Sequence, residues 1–279
     1  MPQQAALRDA DLLGAQALLG ERVTVLAVQD GWAQVEIPSQ SPPTWSSWMP
    51  MHCLIAAAPL VTARVATATA PTAWLRADDE SPPLEISFGT ILPTIDRDGA
   101  TVRVSLPDGR TALIRALDVA VRAMGATPLA SRSQVVAWAR QFLGLRYLWG
   151  GTSGFGFDCS GLVHLVYRTA GIALPRTARL QARCGIAIPL ASALAGDLVF
   201  FANASGIHHV AICVGEGDVL SAPSIGLPVR LAHLADLLGG PDALTARQVL
   251  PPASVRRPRP AADVPEEQAL MVQRPGPAT

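Results

Sequence analysis

Lysine is absent from this chain of 279 residues, so arginine supplies all 22 basic side chains. They are matched by 22 acidic ones, and the formal net charge is zero. That balance argues against polyanion binding as the main business, and no nucleic-acid partner is expected. Together with the alanine richness, the missing lysine reads as a base-composition bias of the source genome and points to no function. Aromatic residues are sparse at 5%, and only two are tyrosines, Tyr147 and Tyr167. The four cysteines (Cys53, Cys159, Cys184, Cys213) are far apart and form no CxxC pair. Neither a zinc site nor a disulfide framework follows from that spacing. No apolar run approaches a membrane span. The opening Met-Pro-Gln-Gln-Ala-Ala-Leu-Arg-Asp also lacks a basic segment followed by an apolar one. If residue 1 is the native start, a cytoplasmic location is expected. A secreted chain whose leader has been removed reads the same way.

What is present centres on Tyr147 to Leu162, Tyr-Leu-Trp-Gly-Gly-Thr-Ser-Gly-Phe-Gly-Phe-Asp-Cys-Ser-Gly-Leu. A glycine-rich loop ends there and an apolar segment begins. Asp158 is a favoured N-cap residue, which puts Cys159 in the first turn of a helix. Leu162, Val163, Leu165, Val166 and Ala170 form that helix's apolar side, and Gly171 suits its C-terminal cap. A thiol at a helix N-terminus feels the positive end of the dipole, so its thiolate is expected to be favoured. Free backbone N–H groups beside it are suited to an oxyanion. A lone buried cysteine with a purely structural role is the competing reading.

Upstream, Arg22 to Ile37 alternate around Asp30-Gly31, and Trp48-Met49-Pro50 follows a Pro/Ser segment. This short-strand pattern suits a small β-barrel and is similar to a bacterial SH3 domain, expected over residues 1–58. Trp32 is expected in its core. Trp45 and Trp48 complete that core or stand exposed as a ligand wall. Alternating strands with turns at Asp98-Gly99 and Asp108-Gly109 predict a second, divergent SH3-like barrel over 59–122. Ser131-x-x-Gln134 is a capping box that opens a helix. It begins a third domain, expected over 131–250. Within that domain Gly196 to Phe201 and His208 to Gly215 read as strands. The Pro-rich tail, 251–279, is expected to lack regular structure.

A thiol nucleophile needs a base. His52 lies in the first expected barrel and His233 near the end of the third domain. His164 sits about 140° around the helix from Cys159, which suits a packed or surface side chain. His208 and His209 remain, and strand alternation points them to opposite faces.

Five ordered motifs then make one pattern: Tyr-x-Trp-Gly-Gly, Phe-Asp-Cys-Ser-Gly-Leu, Leu-Pro-Arg, Gly-Asp-Leu-Val-Phe-Phe and His-Val-Ala-Ile. Over roughly residues 131 to 235 the chain resembles the NlpC/P60 cysteine peptidases. With two SH3-like domains ahead, it resembles their γ-D-glutamyl-L-diamino-acid endopeptidase branch. The resemblance implies an α+β chain: two small SH3-like β-barrels, then a reduced papain-like domain with helices packed on an antiparallel sheet. It implies Cys159 as nucleophile and His209, first residue of its motif, as base. Family members usually carry a second His, sometimes Asn or Gln, twelve residues later, where this chain has Ser221. A simple two-residue hairpin would put His209 and Ser221 on opposite faces, so a bulge near Val214 to Gly217 is expected. Tyr147 is expected near the oxyanion or as a core aromatic. Asp158, Ser160, Arg176 and Thr177 are expected to bind substrate, although Asp158 also reads as a cap only. Where the branch often has Asp, this chain has Thr177.

The implied activity is hydrolysis of short murein peptides, L-Ala-γ-D-Glu-diamino acid, at the γ-D-glutamyl bond, with no cofactor or metal. The alternatives are a degenerate peptidoglycan-peptide-binding protein and another thiol chemistry on the same scaffold, amidase or acyl transfer.

Overall fold

The computed structural model describes residues 13–40, 46–56, 62–126, 130–237, 243–249 and 269–272. These divide into two compact units, one drawn from residues 13–16 and 130–249, the other from 17–126 and 269–272.

In the second of these, β1 (Arg22–Gln29) and β2 (Trp32–Glu36) form an antiparallel hairpin. Its turn residues Asp30 and Gly31 have φ of 50° and 78°. Positive φ at both central positions gives a loop whose twist matches that of the strands. Strands β3 (Ser47–Pro50) and β4 (Leu54–Ala56) follow. Val23, Ala33, Val35, Ile37 and Leu54 make this sheet's core. Trp32 is not in it: the first residue after the turn, it is 48% exposed. Trp48 on β3 is exposed as well.

A separate sheet follows. Its strands are β5 (Arg64–Ala68), β6 (Thr72–Ala77), β7 (Leu84–Ser87), β8 (Ile91–Asp98), β9 (Thr101–Ser105), β10 (Thr111–Arg115) and β11 (Val119–Ala123), in the order β11-β5-β8-β9-β10-β6-β7. Leu75, Ile86, Leu92, Val102, Val104 and Ile114 alternate inward to form its core.

The other unit carries the predicted nucleophile. Its first helix among the described residues, α1 (Arg132–Arg140), starts at Ser131, whose Oγ accepts the Gln134 N–H at 3.2 Å. A short hairpin of β12 (Thr152–Ser153) and β13 (Gly156–Phe157) leads into α2 (Cys159–Thr169). After α3 (Ala178–Gln181) come β14 (Ile186–Ile188), β15 (Leu198–Asn203), β16 (Gly206–Gly215), β17 (Asp218–Ser221) and β18 (Arg230–His233). Next are α4 (Leu234–Leu237) and β19 (Ala243–Gln248). The sheet order is β14-β19-β15-β16-β17-β18. Both faces of its centre are apolar. Leu198, Phe200, Val210, Ile212 and Leu220 alternate with Val199, Phe201, Ala211, Cys213 and Val219, and all ten are buried. The second set packs with Leu190, Leu234, Leu237 and Leu244.

The tail departs from expectation. Its segment β20 (Ala269–Val272) pairs antiparallel with both β1 and β4, so the first sheet runs β3-β2-β1-β20-β4. Two strand edges with unpaired N–H and C=O groups are a strong template, and Ala-Leu-Met-Val is apolar enough to fill it.

Candidate active site

The start of α2 is set by close backbone packing. A Cβ on Gly161 would come within 2.0 Å of the Gly151 carbonyl oxygen, and one on Gly151 within 2.4 Å of the Gly156 oxygen. Only glycine at both places lets the loop lie against the first helical turn. Phe157, fully buried, anchors the hairpin edge-on against Phe142, with ring centroids 4.9 Å apart.

Asp158 caps the helix as expected, accepting the Gly161 N–H at 2.7 Å. It does much more. Its other oxygen accepts the Gly150 N–H at 3.1 Å. The Arg176 guanidinium grips it with two bonds, 2.9 and 2.6 Å. Ser160 Oγ donates to Asp158 at 3.2 Å and accepts from Arg176 at 3.1 Å. All three side chains are buried. A buried guanidinium requires a carboxylate opposite it, and the two-pronged fit supplies one. Gln181, which sequence reasoning passed over, completes the support. Its side-chain amide donates to the Ser160 carbonyl at 2.9 Å and to the Pro175 carbonyl at 2.8 Å. The only sequence signal was its place in Leu-Pro-Arg-Thr-Ala-x-x-Gln. His164 is buried, with Nδ1 2.7 Å from the Leu174 oxygen. It is a packed histidine, as its angle around the helix implied.

In front of Cys159 lies a cleft of about 380 Å³. Tyr147, Cys159, His209 and Ser221, drawn from 75 residues of sequence, all line it. So do Trp149, His208, Pro223 to Ile225 and Arg230, none of which was expected there except His208 at its edge. Asp158, Ser160, Arg176 and Thr177 do not line it. The first three bond one another instead of facing the cleft. Thr177 sits half-buried at the N-cap of α3, and its side chain makes no capping bond. Trp48 belongs to the other unit, and Trp45 lies outside the described residues.

Two bulges shape the histidine and serine positions. Phe201 pairs with His209 and Ala202 with Ile207, so the register shifts and His208 is the extra residue. Simple alternation fails there, which is why both histidines reach one cleft. His208 is exposed, whereas His209 is half-buried with its ring edge-on to Phe201 at 5.0 Å. On the next hairpin the register shifts between Cys213 and Gly215. The turn residues Glu216 and Gly217 have φ of 55° and 79°. The bulge aligns Ile212 with Leu220 and Cys213 with Val219. Ser221 therefore falls opposite Ala211, on the face that carries His209. Its hydroxyl has no hydrogen-bond partner among the described residues.

The thiol departs from expectation. Burial, reinforced by the Asp158 charge, pushes Cys159 up from 9.0 to about 12. Hydrogen bonds from the Val210 and Ser160 backbones and the Arg176 charge act the other way without prevailing. A helix N-terminus favours a thiolate only while water or a partner solvates the charge. Cys159 is half-buried at the cleft, and burial holds its proton more tightly than in a free cysteine.

A cysteine at a helix start, facing strand histidines across one cleft, is a hydrolase arrangement. The NlpC/P60 family description matches residues 144–236. The YkfC SH3b2 domain description matches 68–121. Over 241 residues the chain is 36% identical to the γ-D-glutamyl-L-lysine dipeptidyl-peptidase of Bacillus cereus, covering 82% of this chain and 72% of that one.

This chain belongs to the NlpC/P60 family.

The Bacillus subtilis protein of the same name is 34% identical over 239 residues, 82% of this chain and 78% of that one. A crystal structure of an NlpC/P60 family protein from Bacillus cereus matches with a TM-score of 0.83 and 33% identity, over 89% of this chain and 86% of that one. The chain is a cysteine peptidase with an α+β fold of mainly antiparallel sheet.

Proposed function

We propose that this peptidase cleaves short bacterial cell-wall peptides after γ-linked D-glutamate, releasing the dipeptide L-Ala-D-Glu from a following L-diamino acid. One observation carries the reading. Cys159 and His209 line a single cleft in a chain that aligns along most of its length with γ-D-glutamyl-L-lysine dipeptidyl-peptidases.

The chemistry follows from the residues. Cys159 Sγ attacks the γ-carbonyl carbon while its proton passes to the His209 imidazole. Burial holds that proton on sulfur more tightly than in a free cysteine, so the imidazole is needed to take it. The tetrahedral oxyanion is held by the Cys159 N–H, which lies in the first helical turn and has no acceptor within the helix. Tyr147, at the cleft wall, is the second donor. As the C–N bond breaks, His209 returns the proton to the leaving amine. A water molecule then loses a proton to His209 and attacks the thioester, and the thiol recovers its proton from the imidazolium.

Purified protein incubated with L-Ala-γ-D-Glu-diaminopimelate is expected to release the free diamino acid. Saturable binding without turnover would overturn the reading in favour of a peptide-binding protein. His209→Ala is expected to abolish turnover and His208→Ala to spare most of it; the reverse pattern would transfer the base to His208.

A further inference from the structure

Among the described residues, Arg230 is the one fixed positive charge that lines the cleft, and no aspartate or glutamate lines it. It reaches the cleft through strand register. On β17 and β18, Ser221 pairs with Arg230 and Val219 with Ala232. Directly opposed residues of an antiparallel pair project to the same face. All four line the cleft, so the guanidinium stands on the wall that carries Ser221. The arginine is exposed. Among the described residues it has no ion-pair or side-chain hydrogen-bond partner. Arg103, Arg110, Arg132 and Arg176 each hold an aspartate.

We propose that Arg230 is a specificity-determining residue that binds a free carboxylate of the peptide in the cleft. A guanidinium presents a planar fork of N–H donors that matches a carboxylate two-pronged. Among the described residues, no carboxylate along the cleft wall competes for it. This inference rests on the γ-glutamyl reading above, because that substrate offers two carboxylates. A γ-linked D-Glu keeps its α-carboxylate free, and the third residue of a tripeptide has a terminal one.

Binding to the Cys159→Ala protein separates the two without turnover. The probes are L-Ala-γ-D-Glu-L-Lys, its glutamyl α-amide and its C-terminal amide, each titrated by calorimetry. The free acid is expected to bind about tenfold tighter than one of the amides, from the loss of one charged hydrogen-bond pair. Weak binding of the α-amide assigns Arg230 to the glutamyl carboxylate; weak binding of the C-terminal amide assigns it to the terminus. Adding Arg230→Gln should erase that preference, and Arg230→Lys should restore part of it. Both variants keep an extended stem on an exposed strand position. Equal binding of all three peptides to the Cys159→Ala protein, or a preference that survives Arg230→Gln, would overturn the proposal and leave the γ-glutamyl reading standing. Failure of every peptide to bind the Cys159→Ala protein would overturn both.

Discussion

The two walls of the cleft are built on opposite principles. On the helix wall, Asp158, Ser160, Arg176 and Gln181 bond one another and the backbone around Cys159. On the sheet wall, Ser221 and Arg230 have no side-chain partners among the described residues and face the cleft. The difference teaches how such a site divides its labour. The nucleophile's position depends on a buried network in which the Arg176 and Asp158 charges are paired, and opening it would expose an uncompensated charge. Recognition is left to side chains whose donors are still free.

The largest expected effects break the helix wall. Cys159→Ala removes the nucleophile and should lower turnover by at least about a thousandfold. Cys184→Ala, outside the cleft lining, should retain most activity. Iodoacetamide labelling followed by peptide mapping checks the same assignment. Arg176→Ala leaves Asp158 buried and unpaired, and should destabilise the fold by about 3–5 kcal/mol in urea unfolding. A loss below about 1 kcal/mol would show that the network is not what holds the wall.

The thiol gives a sharper test of the same wall. Because its pKa is raised to about 12, the thiolate fraction grows about tenfold per pH unit below that value. Alkylation of Cys159 in the free enzyme should therefore accelerate about tenfold per unit from pH 7 to 10. A rate already high and flat across neutral pH would mean a preformed thiolate paired with imidazolium.

Two smaller effects complete the contrast. Ser221→Ala should change kcat/KM by less than about threefold, since the hydroxyl is unbonded in the resting site. A hundredfold loss would give Ser221 an orienting role that arises only with substrate bound. Stability should also decline at alkaline pH. Cys159 and Cys213 are each raised from 9.0 to about 12. A raised folded pKa favours the neutral thiol, so this contribution is intact below pH 9 and lost as pH rises toward 12. A Tm that stays constant between pH 9 and 11 would contradict that sign.

Much of the molecule was legible in the chain because local chemistry dictates it. Ser131 and Asp158 announced two helix starts through capping groups that act within three residues. The Asp30-Gly31 turn was signalled by residues that tolerate positive φ. Five ordered motifs identified the family, and the even separation of positions 209 and 221, which a two-residue hairpin would put on opposite faces, called for the bulge that is found beside Gly215. What the chain alone did not reveal depends on groups distant in sequence. Trp32 looked like core by its type, but its place at the turn leaves it exposed. The tail reads as unstructured until the free edges of β1 and β4 are seen to receive Ala269–Val272. Asp158 and Arg176 read as substrate ligands, and only the fold shows their charges turned toward each other. The rise in the thiol's pKa has the same kind of origin. A helix dipole can be inferred from a cap, but burial of the sulfur is a sum over surrounding segments. Likewise Arg230 is an ordinary arginine in the sequence, and strand register alone sets it beside Ser221 in the cleft.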